Sequence, residues 1–313
     1  MGAEYTVILE QMAVFLLLIG AGAAGIRLKA LNADSLSALS SFAMQFAIPA
    51  LIFSTLAGSA TPGEIAASWP MVIVSVCISG LMFLTGNISA LLCGLSGNRK
   101  RIHICQSTFG NMGMIAVPLI SALYDGQGAL PMAMFLLCDQ VLLWTIGIRL
   151  GYPKESASGR TWKKLMNPVL IAAVLGIAYA LFGFPWSGTI AEAVAGLGGT
   201  TKYVALIFVG GSLALPGAAR GVREKGPYSI VLFKMLLCPM IVYCALRLIG
   251  IFDSVVCSVF ALIAGMPSMG TLAVVARASG SDDAYASSVT FVTTLLAVLT
   301  LPLLTFVFGL LPL

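Results

Sequence analysis

Charge is scarce in this chain. Only 9% of its 313 residues are Asp, Glu, Lys or Arg, while 59% are hydrophobic and the mean hydropathy is +1.01. Soluble domains carry about 25% charged residues, so too little polar surface exists here to cover a water-facing core, and the solvent is lipid. Histidine is nearly absent. The single copy, His103, lies beside a basic run, which excludes a His-based metal site and a Ser-His-Asp arrangement. No Cys-x-x-Cys pair occurs among the seven cysteines, which are scattered through apolar runs and read as small buried hydrophobes. A basic leader is missing as well: Arg27 is the first positive charge, after Glu4 and Glu10, so the first apolar run is expected to remain as a span. Polar–apolar alternation is lacking in stretches such as Met12 to Ala24 and Val289 to Leu304, which excludes barrel strands and leaves helices.

What the chain does have is long apolar runs cut by charge, Pro and Gly. A membrane helix needs about 20 such residues, and on that criterion the sequence predicts an all-α polytopic membrane protein of ten transmembrane helices. The spans run from Thr6 to Ile26, Leu36 to Ala57, Pro70 to Leu95, Ile104 to Tyr124, Ala129 to Leu150, Leu165 to Phe184, Tyr203 to Ala219, Tyr228 to Ile249, Ser254 to Ala276 and Ala284 to Leu310. With the N-terminus outside, alternate loops collect fourteen of the seventeen basic residues, among them Arg99, Lys100 and Arg101. Cytoplasmic loops attract Lys and Arg, so both termini are expected to be extracytoplasmic. The net charge of +5 is then inner-leaflet anchoring to the lipid bilayer, with no nucleic-acid partner implied.

The polar stretch 151–164 separates two halves of five spans, 1–150 and 165–313. An odd span count per half forces the second half to start on the opposite side of the membrane, the signature of an inverted repeat. Span four carries Gly110, Asn111, Gly113 and Pro118 at membrane depth, and span nine carries Gly265, Pro267, Ser268 and Gly270 at the matching place. Proline removes a backbone donor and glycine permits unwinding, so each span is expected to break into half-helices. Unwound backbone at that depth lines a cavity, and half-helix N-termini there favour anions. Of these, Asn111, Gly113, Pro118, Gly265, Pro267, Ser268 and Gly270 are the candidate substrate ligands. Asp139, mid-span in span five, is the candidate ion-coupling residue or else the structural partner of Lys234 in span eight, with Gln106 a second coupling candidate. Lys202 is placed at the outer start of span seven, and the Asp282-Asp283 pair as an N-terminal cap for span ten.

Together these residues resemble the auxin efflux carriers and their bacterial relatives, within a superfamily that includes bile acid sodium symporters. The resemblance runs nearly the whole chain: Ile48-Pro49-Ala50-Leu51-Ile52-Phe53, Gly110-Asn111-Met112-Gly113 with Pro118, Asn167-Pro168, Lys234 with Pro239, and Pro267 followed by Ser287 to Pro302. It implies that spans four and nine cross at their breaks and that spans three to five and eight to ten form a mobile core. Spans one, two, six and seven would make a panel through which homodimers form. The implied function is secondary transport of a small organic anion such as a carboxylate, with no cofactor and with either protons or sodium as coupling ion. A sodium-coupled symporter of a bile-acid-like anion and a non-transporting ligand-gated protein or channel are the alternatives. Two positions depart from the family pattern: Tyr203 stands where a proline is common, and residues around Gly270 and Thr271 replace an asparagine.

Overall fold

The computed structural model describes residues 2–152, 167–216 and 222–310, and in these the chain is helical almost throughout. We label the helices α1 (Gly2–Arg27), α2 (Ala33–Ser59), α3 (Pro62–Ala67), α4 (Trp69–Leu92), α5 (Gly97–Thr108), α6 (Met112–Tyr124), α7 (Gly126–Gly151) and α8 (Pro168–Leu181). They continue as α9 (Thr189–Ala214), α10 (Lys225–Ile249), α11 (Ser254–Ala264), α12 (Gly270–Ala278) and α13 (Asp283–Leu310). Six of them, α2, α4, α7, α9, α10 and α13, are long and apolar enough to cross a membrane, and shorter apolar helices occupy Ala13–Arg27, α6, α8 and α11. Outward-facing positions are apolar, as at Leu248, which is 82% exposed, and the seven cysteines are free thiols.

The sequence predicts ten spans, and six helices of spanning length are present among the described residues; most helix ends lie within a few residues of the expected span ends, with two corrections. The fourth segment begins at Gly97 instead of Ile104, because the basic run is the first turn of α5 rather than a loop. The seventh begins at Thr189 instead of Tyr203 and is helical to Ala214. Lys202 therefore sits in mid-helix; its Nζ is 3.5 Å from Gln11 Oε1 on α1. Of the expected linker 151–164, residues 153–164 lie outside the described residues.

Caps set several starts. Asn32, Thr61, Asn167 and Asp253 each accept a backbone N–H of the first turn that follows, satisfying donors a helix end leaves orphaned. At α3 the cap is reciprocal: Glu64 accepts from the Thr61 hydroxyl and backbone, and these bonds hold its carboxyl below the usual range. Asp282 caps α13 by accepting the Tyr285 N–H at 3.0 Å, as its position predicts.

Wide, π-helical turns recur inside the helices, and three of the four among the described residues have the same cause. Ala43–Ala47, Met112–Ala116 and Val231–Leu237 each end two residues before a proline, at Pro49, Pro118 and Pro239. A proline ring clashes with the carbonyl four residues back and offers it no N–H; that carbonyl belongs to Gln45, Met114 or Met235, inside the widened turn. Bonding one residue further along relieves the clash.

The helices pack in two sets. α1 lies along the second half of α9, and α2 lies against α8 and the first half of α9, while α4, α5 and α7 pack together and α10 to α13 pack together. α1 and α9 approach backbone to backbone: a Cβ on Gly22 would run into the Ile207 carbonyl, and one on Gly210 into the Ile19 carbonyl. Gly22→Leu should therefore lower stability by about 1–3 kcal/mol or more, read as a drop in melting temperature of the detergent-purified protein. An unchanged melt would show that the two helices need not touch.

Candidate functional site

The two broken segments meet. α5 ends at Thr108 and α6 begins at Met112; α11 ends at Ala264 and α12 begins at Gly270. The extended residues between them pair as a single antiparallel bridge, Gly110 with Ser268, the one such bridge among the described residues. Asn111 donates its N–H to the Pro267 carbonyl at 2.8 Å, and Met269 donates to the Phe109 carbonyl at 3.4 Å. This pairing is how the structure satisfies backbone groups that leave the helix in an apolar interior. Gly147 on α7 makes room for the break, since a Cβ there would strike the Phe109 ring.

One side of the crossing opens on a cavity of about 430 Å³. Asn111, Gly113, Gly270 and Thr271 form one wall, Ser40 and Ser212 come from α2 and α9, and Ser287 and Thr290 from α13. Among the described residues, no Lys, Arg, Asp or Glu lines it. The N-termini of α6 and α12 both begin at this cavity, and the Asn111 side chain accepts the Met114 N–H at 3.3 Å as the cap of α6. First-turn N–H groups of a helix have no partner within it and carry partial positive charge, so two such ends facing one uncharged space favour an anion.

Of the seven expected substrate ligands, the structure brings Asn111, Gly113 and Gly270 to the cavity. Pro267 and Ser268 serve the crossing instead: the Pro267 carbonyl accepts from Asn111, and buried Ser268 donates its hydroxyl to the Gln106 carbonyl at 2.8 Å and its N–H to Thr293 Oγ1 at 3.2 Å. Pro118 and Gly265 do not line the cavity. Pro118 is buried in α6 a turn and a half beyond the break, where it widens the preceding turn, and Gly265 closes the end of α11 beside Leu304 and Pro239.

The second expected cluster does not line the cavity but touches its wall at Thr290. Gln106, in the last turn of α5, is fully buried; its amide donates to the Ala286 carbonyl at 2.9 Å and accepts from the Thr290 hydroxyl at 3.5 Å. Lys234 is also fully buried, in the widened turn before Pro239, and its Nζ donates to the Gln106 carbonyl at 3.4 Å. Asp139 on α7 is 1% exposed, and Lys234 is the cation that acts on it, yet the two form no ion pair within 4.0 Å. Its carboxylate accepts from the Gln140 amide at 3.3 Å, and Gln140 accepts in turn from Asn167 at the start of α8.

Sequence reasoning missed the hydroxyls of the cavity and a third cluster. Arg99 in the first turn of α5 pairs with Asp282 at 2.8 Å and Glu224 at 3.2 Å and lies 4.8 Å over the Tyr285 ring. Tyr285 OH and Ser89 Oγ each sit 2.7 Å from a ring nitrogen of His103, which is wholly buried rather than part of a loop.

Apolar helices broken and cross-tied around an uncharged, hydroxyl-lined cavity make an integral membrane protein built for transport. The chain belongs to the family described as membrane transport protein, that of the auxin efflux carriers, which it matches over residues 7–160 and 152–305. It is 25% identical over 282 residues, 85% of each chain, to a Rhizobium meliloti (strain 1021) protein provisionally named a malonate transporter. It is likewise 25% identical over 283 residues, 87% of this chain and 89% of the other, to an uncharacterized transporter of Methanothermobacter thermautotrophicus.

Proposed function

We propose that this protein is a secondary active transporter that carries a small organic carboxylate across the cytoplasmic membrane by alternating access. Ten spans would form two inverted halves of five, with both termini extracytoplasmic. The observation that carries this reading is the pair of half-helix N-termini, α6 and α12, opening on one uncharged cavity. An anion placed there gains orphan N–H donors and hydroxyls, including Ser212, Ser287 and Thr290, without meeting a fixed negative charge. The closer packing of α1, α2, α8 and α9 with one another than with the remaining helices supports a reading as two bodies, which rocking or sliding motions require.

The family and the provisional name of the Rhizobium relative make malonate the first substrate to try. Purified protein in liposomes preloaded with unlabelled malonate should accumulate labelled malonate by counterflow, saturably and with competition from other short carboxylates. Flux that rises linearly with concentration would identify a channel, and no flux for any mono- or dicarboxylate would remove the carboxylate reading.

A further inference from the structure

Two broken helices that cross leave two positive ends and two negative ends at membrane depth. The positive ends face the cavity. At the negative ends, the last-turn carbonyls of a half-helix have no N–H to receive and carry partial negative charge, and such ends are where transporters of this architecture hold a coupling cation. The end of α11 closes on itself: the Gly265 N–H donates to the Ala261 and Leu262 carbonyls, and Met266 donates to Ile263. The end of α5 is different, because the Gln106 carbonyl accepts from two groups of the other half of the chain, the Ser268 hydroxyl at 2.8 Å and the Lys234 ammonium at 3.4 Å.

Resting on the transport reading above, we infer that Lys234 is a tethered cation occupying the place of a coupling metal ion at the negative end of α5, so that transport requires no sodium. Three observations converge on it. Lys234 is wholly buried, and burial of an ammonium costs several kcal/mol unless acceptors and counter-charge surround it. Those surroundings are present: the Gln106 carbonyl receives it, the Asp139 carboxylate of α7 acts on it without a direct ion pair, and among the described residues Cys105 and Cys238 are the other titratable groups close enough to act on it. Its position is also built, since Pro239 forces the widened turn Val231–Leu237 that carries Lys234. Ion and side chain would compete for the same carbonyl, and a covalently held ammonium cannot dissociate, so a free cation has no vacancy to fill.

The test uses the whole chain in lipid nanodiscs and liposomes. Wild type should bind no radiolabelled sodium saturably, melt at the same temperature in sodium as in choline, and take up carboxylate equally in both. Lys234→Ala, with the carbonyl end and Asp139 uncovered, should acquire saturable sodium binding and a sodium-specific rise in melting temperature, and its uptake should increase about tenfold when sodium replaces choline. Lys234→Arg keeps the charge and should stay sodium-indifferent. Saturable sodium binding by wild type overturns the inference, as does a folded Lys234→Ala protein on which sodium has no effect. If the alanine variant does not survive purification, sodium binding by wild type decides alone. Sodium binding is read without any substrate, so a protein that moved no carboxylate would defeat the transport reading and leave this measurement standing.

Discussion

Asn111→Asp is expected to abolish anion uptake while leaving the protein folded. Asparagine at this position has two jobs, capping α6 through the Met114 N–H and lining the cavity. Aspartate caps as well as asparagine, so the helix start survives. A carboxylate on the wall of an otherwise uncharged cavity repels an anionic substrate and cancels the field of the two helix ends. Asn111→Ala removes the cap and any bond to the substrate together, and loss of a hydrogen bond to a charged group, about 1.5–3 kcal/mol, corresponds to an affinity loss of about ten- to a hundredfold. Counterflow kinetics with both variants, at matched melting temperature, separate the jobs. Normal uptake by Asn111→Asp would move the substrate away from the α6 N-terminus.

The second large effect concerns the charges buried behind the crossing. Asp139→Asn removes the carboxylate that, among the described residues, acts on the Lys234 ammonium, and Lys234→Met removes the cation that acts on Asp139. Removing one partner of a buried pair costs about 3–5 kcal/mol, whereas removing both can be close to neutral. Each single variant should therefore melt well below wild type, and the double variant should recover most of the loss, a non-additivity that only coupled sites give. The recovered protein should still fail to accumulate substrate against a gradient, because the expected coupling carboxylate is gone. Additive losses in the double variant would show that Asp139 and Lys234 act independently, in keeping with the absence of a direct ion pair between them.

The breaks were legible because proline and glycine act through the backbone: Pro118 and Pro267 near Gly110 and Gly265 announce an interrupted helix whatever packs around it. That the breaks meet was not legible, since Gln106 and Ser268 are 162 positions apart and nothing in either segment names the other. The late start expected for span seven has a local cause. Glu192 with Gly196, Gly198 and Gly199 reads as loop, yet Gly198 is needed where the Leu51 backbone of α2 comes close, and the helix continues through it. Basic residues misled in the same way at α5, where Arg99 is held inside the first helical turn by Asp282 and Glu224. The cavity hydroxyls were hidden for a chemical reason: Ser and Thr in helices routinely bond back to their own preceding turn, as Ser75, Thr108 and Ser258 do. A hydroxyl at 287 or 290 is thus indistinguishable from its neighbours until the cavity is seen.

The strand-like pairing between the breaks is made by peptide groups, to which the Ser268 hydroxyl and Thr293 Oγ1 add one side-chain bond each. Phe109, Asn111, Pro267 and Met269 contribute carbonyls and N–H groups to that pairing, so it depends little on the side chains those four positions carry; Gly110 is held to its size, its missing Cβ falling 3.0 Å from Met266 Cβ, as is Gly147 against the Phe109 ring. Divergence can therefore rewrite the walls of the cavity while the crossing stays tied. Relatives sharing a quarter of their residues can inherit one architecture and differ in cargo, because what recognises the cargo and what holds the fold together are written in different atoms.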